Sequence, residues 1–148
     1  MSRMAVRKAQ AADQTALREM MLEYIVDFYQ RPEPAAEKLD RLQAMLLQGD
    51  NGLQLVAEED GVYQGFATLY FTYSTLRADR IVTMNDLYVL EAYRGSGVAE
   101  KLFKACVAFT REHGFAIMQW ETNQENSRAQ RFYEKMGGQL GDGLHYVI

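Results

Sequence analysis

Arg94, Gly95, Ser96, Gly97, Val98 and Ala99 are the residues of this 148-residue chain whose types and spacing most plainly suit chemistry. They follow the apolar run Leu87-Tyr88-Val89 and open a segment of helical periodicity. A helix that begins here presents N–H groups with no internal partner and the positive end of its macrodipole. Such an end holds anions, and glycines let a phosphate approach the backbone closely. Arg94 adds a cation at the rim. The chain carries a formal net charge of −4, so a polyphosphate ligand needs a local site of this kind against the overall field.

Three anion-binding turns compete for these residues. A phosphate loop of the nucleotide-hydrolase kind needs Gly-Lys-Ser/Thr, which the sequence lacks. A dinucleotide fingerprint would use Gly95 and Gly97, with Glu121 at the distance of a ribose ligand. Its third small residue would fall on Glu100, a charged side chain where helix and strand must pack closely. Only residues 99–148 would remain for the rest of a doubly wound fold. The third is a pyrophosphate-binding turn, Arg-x-x-Gly-x-Ala, which Arg94, Gly97 and Ala99 satisfy.

The elements that must position this turn can be read from periodicity. Residues 5–9 suit a short strand. Asp13 is placed to cap a helix bearing Leu17, Met20, Met21, Tyr24, Ile25 and Phe28 in one stripe. Arg31-Pro32-Glu33-Pro34 ends it. A second helix carries Leu39, Leu42, Met45 and Leu46 and stops at Gly49-Asp50-Asn51-Gly52. The period then changes: residues 53–58 and 63–73 read as a hairpin turning at Asp60-Gly61, and 81–89 as the next strand. Val98, Leu102, Ala105, Cys106 and Phe109 mark a helix stopped by Gly114. Residues 115–120 suit a strand, 127–136 a helix, and 139–148 a short β-terminus broken at Gly141-Asp142-Gly143. The expected fold is mixed α/β in a single domain, 1–148. It is a twisted, mostly antiparallel sheet with a central parallel βαβ unit and helices on both faces.

Composition agrees: 48% hydrophobic and 24% charged residues are ordinary for a globular domain. The acidic balance argues against a general nucleic-acid binder. One cysteine excludes a disulfide framework or a cysteine-rich zinc site. No apolar run reaches the roughly 18 residues of a membrane span, and Met1-Ser2-Arg3-Met4 lacks a signal-peptide core. The expectation is a cytoplasmic protein without metal, nucleic acid or membrane partner.

The turn at 94–99, with Asn126, Ala129, Phe132 and Tyr133 about thirty residues later, resembles the GNAT superfamily of N-acetyltransferases, which bind acetyl-CoA. The element order matches as well, so the resemblance covers nearly the whole chain. Trp120-Glu121-Thr122 and Tyr70-Phe71-Thr72-Tyr73 look like the branch acting on polyamines or basic protein tails. That branch often has an acidic residue where Asn85 stands here. The resemblance implies a pantetheine arm beside Leu87, Tyr88 and Val89, with the Val89 N–H polarising the thioester carbonyl. It places the pyrophosphate on Arg94 through Ala99 and adds Asn126 to the cofactor site. It gives Tyr133 the role of general acid to the departing thiolate, a phenol of ordinary pKa near 10 being protonated at neutrality. Tyr133 also fits a core stripe with Ala129, Phe132 and Met136.

An alkylammonium acceptor of pKa ~10.4 costs about 4–5 kcal/mol to present as the free amine at neutrality, so a nearby carboxylate would help. Asp86 is the first candidate, because a carboxylate in a strand buried on both faces must be satisfied; accepting backbone N–H bonds would satisfy it equally. Glu121 is the second. Glu19, Glu23 and Asp27 line one helix face, either to attract a cation or as a solvated face with Arg31 paired to Asp27. His113 suits a helix end, His145 the terminal strand, and Cys106 the core. The expected activity is direct acetyl transfer from acetyl-CoA to a primary amine: a small amine, a polyamine or a basic protein residue. A homodimer through an exposed C-terminal edge is also expected. A catalytically silent acyl-CoA sensor is the rival reading.

Overall fold

The computed structural model describes residues 3–148; Met1 and Ser2, part of the N-terminal reading, lie outside the described residues. Five strands form one sheet in chain order: β1 (Ala5–Lys8), β2 (Gly52–Glu59), β3 (Val62–Ser74), β4 (Asp79–Val89) and β5 (Met118–Gln119). The first four pair antiparallel and β5 runs parallel to β4. Asp60 and Gly61 both take positive φ, 50° and 80°, the conformation of a two-residue hairpin turn. The helices are α1 (Gln14–Leu22), α2 (Ala36–Gln48), α3 (Val98–Glu112) and α4 (Ser127–Lys135). α1 continues into a π-helical turn, Glu23–Phe28. Among the described residues no helix is long and apolar enough to cross a membrane.

Alternation along the strands divides the core into two layers. Leu53, Leu55, Ala67, Leu69, Val82 and Met84 pack with Leu102, Phe103 and Cys106 of α3. On the opposite face Val56, Phe66 and Tyr88 meet Leu17, Met20 and Met21 of α1 and Leu39 of α2. Helices therefore cover both faces, as expected.

β4 changes face part-way along. Thr68 lies opposite Asp86 but Leu69 opposite Met84, so Asn85 is an extra residue bulged out of the ladder. Val82 and Met84 point into the α3 layer before the bulge and Val89 after it. Tyr88 therefore points into the α1 layer, and Asp86, two residues earlier, shares its face.

Three expectations are corrected. The strand at 115–120 contracts to Met118–Gln119, because it leaves β4 after Val82↔Met118 and Thr83↔Gln119. Residues 139–148 form no strand; glycines at 141 and 143 interrupt the segment, and Leu140, Leu144, Tyr146, Val147 and Ile148 are exposed. β5 is consequently the last strand of the described sheet rather than an inner one. Asp13 stands at the start of α1 without a capping bond to it, its oxygens being taken by Arg7, Tyr63 and the Gln10 N–H.

Candidate functional site

The divergence of β5 leaves β4 with an open edge over residues 84–89 among the described residues. The Leu90 N–H donates to the Gln64 carbonyl at 2.9 Å. In an antiparallel ladder alternate residues face the partner, so Tyr88 turns its backbone to β3 while Leu87 and Val89 turn theirs to the open edge. Gly65 permits the close pairing at this end: a Cβ there would lie 2.5 Å from the Tyr88 carbonyl oxygen. The Val89 carbonyl accepts from Arg94 Nε at 2.9 Å. The Arg94 guanidinium in turn lies 5.4 Å from the Tyr88 ring centroid and 5.9 Å from that of Phe28. Arg94 thus ties the turn both to β4 and to the end of the π-helical segment.

The turn itself is exposed from Arg94 to Gly97. Gly95 and Gly97 take φ of 81° and 89°, and a Cβ on either would meet nothing within 4 Å. The space over the turn is open, and the glycines are required by backbone conformation. Gly97 caps α3 without a side-chain hydrogen bond. The first bond back into the helix is Lys101 N–H to the Gly97 carbonyl, 3.1 Å, which leaves the preceding amides of Val98, Ala99 and Glu100 available. Ser96 donates its hydroxyl to the Tyr93 carbonyl. Glu100 pairs with Lys104 at 3.1 Å, which holds its carboxyl below the ordinary range. Open glycines, free amides and an unpaired strand edge suit a diphosphate followed by an amide-bearing arm.

Asp86 is half-buried on the α1 side of β4. Burial raises its carboxyl above the ordinary range, and the hydroxyls of Thr68 and Tyr24 and the amide of Asn85 offset part of that rise; the Asn85 bond is 2.9 Å. Tyr24 comes from the π-helical turn, its ring centroid 4.9 Å from that of Tyr29 and 5.4 Å from that of Tyr88. Burial, then the Asp86 charge, push the Tyr24 phenol well above its usual range and that of Tyr70 up to about 12. The Tyr88 hydroxyl donates to Glu23 at 2.7 Å.

Tyr133 is half-buried on α4, with ring centroids 5.5 Å from Trp120 and 6.1 Å from Phe103. Its phenol is raised by burial first and by the neighbouring Tyr29 second. Tyr29, packed edge-on against Tyr24, thus also acts on the Tyr133 phenol. Asn126 caps α4, its Oδ1 accepting from the Ala129 N–H at 3.0 Å. Gly138 passes so close to Trp120 that a Cβ would lie 2.8 Å from that ring.

The other candidates fall elsewhere. Glu121 is exposed and pairs with His145 at 3.3 Å. Glu19, Glu23 and Asp27 line a shallow groove of about 380 Å³ with Glu33. Arg31 is not in an ion pair with Asp27 among the described residues; its N–H bonds to the Ile25 carbonyl. His113 packs on Phe109 at the end of α3, Nδ1 3.0 Å from the Phe109 carbonyl. Cys106 is buried, which pushes its thiol up to about 12. Among the described residues no group of histidine, cysteine and carboxylate side chains could hold a metal. Sequence reasoning missed Tyr24, Tyr29, Thr68 and Gln54 as parts of the site. The available signal was polar side chains, the hydroxyls of Tyr24 and Thr68 and the amide of Gln54, within stripes that were otherwise apolar.

Comparison with known proteins follows the same lines. The profile of the acetyltransferase (GNAT) family matches residues 17–138. An uncharacterized N-acetyltransferase, YhfO, of Bacillus subtilis (strain 168) is 30% identical over 98% of this chain and 97% of its own length. The thialysine N-epsilon-acetyltransferase of Bos taurus is 31% identical over 51% of this chain and 44% of its own. The solved structure of AAC(6')-Iy in complex with a bisubstrate analog, CoA-S-monomethyl-acetylneamine, superposes with a TM-score of 0.85. It covers 99% of this chain and 98% of that one at 21% identity.

Proposed function

The chain belongs to the acetyltransferase (GNAT) family, and from that premise we propose that it moves the acetyl group of acetyl-CoA directly to a primary amine. The observation that carries this reading is the open edge of β4 ending at Val89, beside a glycine turn that leads into uncapped amides of α3. Leu87 and Val89 hold the pantetheine arm by backbone bonds, as an added strand would be held. Gly95 through Ala99 hold the diphosphate with their amides, Arg94 keeps the turn against β4, and Asn126 shapes the far side. When bound, acetyl-CoA supplies an activated thioester. The Val89 N–H polarises its carbonyl, a contribution of about 2.7–4 kcal/mol for one such donor.

Asp86 accepts a proton from the acceptor ammonium, directly or through water, and Tyr133 gives its proton to the departing sulfur. A carboxyl raised by burial binds that proton more readily than an ordinary one. Tyr133, raised rather than lowered, stays protonated at neutral pH. The acceptor is a small amine, a polyamine or a basic protein residue; the thialysine N-epsilon-acetyltransferase among its relatives supports an amine of this class. We place the enzyme in the cytoplasm and, through the open β5 edge and exposed C-terminal segment, in a homodimer.

Calorimetry with acetyl-CoA, followed by thiol release against polyamines, lysine analogues and aminoglycosides, tests the reading. Saturable binding with turnover of at least one amine is expected. Binding without turnover on any amine would return the sensor reading, and absence of binding would remove both.

A further inference from the structure

Gln54, Thr68 and Asp86 lie directly opposite one another on three successive strands, Gln54↔Thr68 between β2 and β3 and Thr68↔Asp86 between β3 and β4. They form one polar rung across the sheet on the α1 side, where the neighbouring residues of the same strands are Val56, Phe66 and Tyr88. Gln54 is 2% and Thr68 1% exposed. Buried polar groups in such a layer must be satisfied internally. Gln54 Nε2 donates to Thr68 Oγ1 at 3.0 Å, and its further contact is the Met21 sulfur at 3.6 Å. Thr68 Oγ1 is therefore an acceptor from Gln54, and its single proton is left to donate. The group facing it across the ladder is Asp86.

Resting on the reading of Asp86 as base, we propose that Thr68 is a positioning residue for the reaction: its hydroxyl, itself fixed by Gln54, aims the Asp86 carboxylate and sets its readiness to take a proton. The bulge at Asn85 is what makes this rung possible, since it turns Asp86 onto the face of Thr68 and Gln54. The other groups that act on Asp86 are the Tyr24 phenol from the π-helical turn and the Asn85 amide from β4 itself. Tyr70 on β3 feels the Asp86 charge in turn. No cation or second carboxylate acts on it among the described residues. Against burial, Thr68 lowers the carboxyl most, then Tyr24, then Asn85, which is bonded to it at 2.9 Å.

The test compares wild type, Thr68→Val, Thr68→Ser and Asp86→Asn by two readouts. One is the pH profile of kcat/KM with acetyl-CoA and an amine identified by the screen. The other is the pH titration of the Asp86 carboxyl by carbon NMR in the cofactor-free protein. Thr68→Val is expected to move the acid limb and the carboxyl titration upward together by roughly one pH unit, with KM for acetyl-CoA unchanged. Thr68→Ser restores both. Thr68→Cys, close in shape and a much weaker donor, substitutes for the valine variant if that does not fold. Superimposable titrations of wild type and Thr68→Val, or equal shifts in the valine and serine variants, would overturn the proposal. Retention of the acid limb in Asp86→Asn would instead overturn the base reading beneath it, while the NMR titration still decides whether Thr68 governs the carboxyl.

Discussion

Asp86 and Tyr133 are raised by the same cause, burial, with opposite chemical consequences. For Tyr133, in its proposed role of general acid, the rise keeps the phenol protonated at neutral pH. Tyr133→Phe is expected to cut turnover at least about tenfold, within the range of a lost general acid, while calorimetry shows unchanged affinity for acetyl-CoA. For Asp86 as the proposed base, activity is expected to fall as pH drops through a value above the ordinary carboxyl range near 3.9. Its folded form binds a proton more tightly than its unfolded form. The group thus favours the folded state at low pH and works against it once ionised at neutrality. Asp86→Asn is therefore expected to lose the acid limb and most of the rate, and to melt higher than wild type by roughly 2–4 °C. A lower melting temperature at pH 7 would show that the carboxylate contributes net stability.

At the scale of elements, β4 carries most of the proposed site, and one irregularity decides which face Asp86 takes. If Asn85 took a regular place in the ladder instead of bulging, strict alternation would send Asp86 to the face of Val82 and Met84, into the α3 layer. Deleting Asn85 would place Asp86 directly after Met84 and still opposite Thr68, so it is expected to regularise the ladder and keep Asp86 on its present face, seen as retained amide protection from Leu87 to Val89. The strand itself was legible from its β-branched and apolar residues; the bulge was not, because a bulged and a regular strand can carry the same residue types. The π-helical turn escaped for a similar reason: Tyr24, Ile25 and Phe28 keep a helical stripe under either winding. The glycine turn was legible as the lead-in to α3, since a short motif fixes its own backbone; the tie of Arg94, expected as a cation at the rim, to the Val89 carbonyl was not. Gly97→Ala imposes a Cβ on a φ of 89° in open space, so its cost is conformational, about 1–2 kcal/mol. Calorimetry is expected to show acetyl-CoA binding several-fold weaker.

Across the whole molecule, the least local contacts are the ones that sequence could not supply. Asp13 reads as a cap from its neighbours, yet its partners are Arg7 on β1 and Tyr63 on β3, six and fifty residues away. Arg7 grips both carboxylate oxygens at 2.8 and 2.9 Å, Tyr63 donates at 2.5 Å and the Gln10 N–H at 2.7 Å. Arg7 reaches Glu58 as well, at 3.6 Å. This cluster ties the edge strand, the start of α1 and the β2–β3 hairpin together. It holds α1 and its π-helical continuation, with Tyr24 and Phe28, over the site. The Asp13 side chain is only 3% exposed, and Arg7 foremost holds its carboxyl well below the usual range. Because the folded value is depressed, its contribution is complete above the unfolded value near 3.9 and is lost as pH falls below it. Asp13→Asn leaves Arg7 without its main partner, a loss of about 1–2 kcal/mol for a pair whose Arg7 side chain is 36% exposed. Urea unfolding from pH 7 down to 2 is expected to show wild type losing stability steeply below about pH 4, while Asp13→Asn starts lower and declines less over that interval. Parallel curves for the two proteins would mean that the cluster is not what joins the helical layer to the sheet in acid.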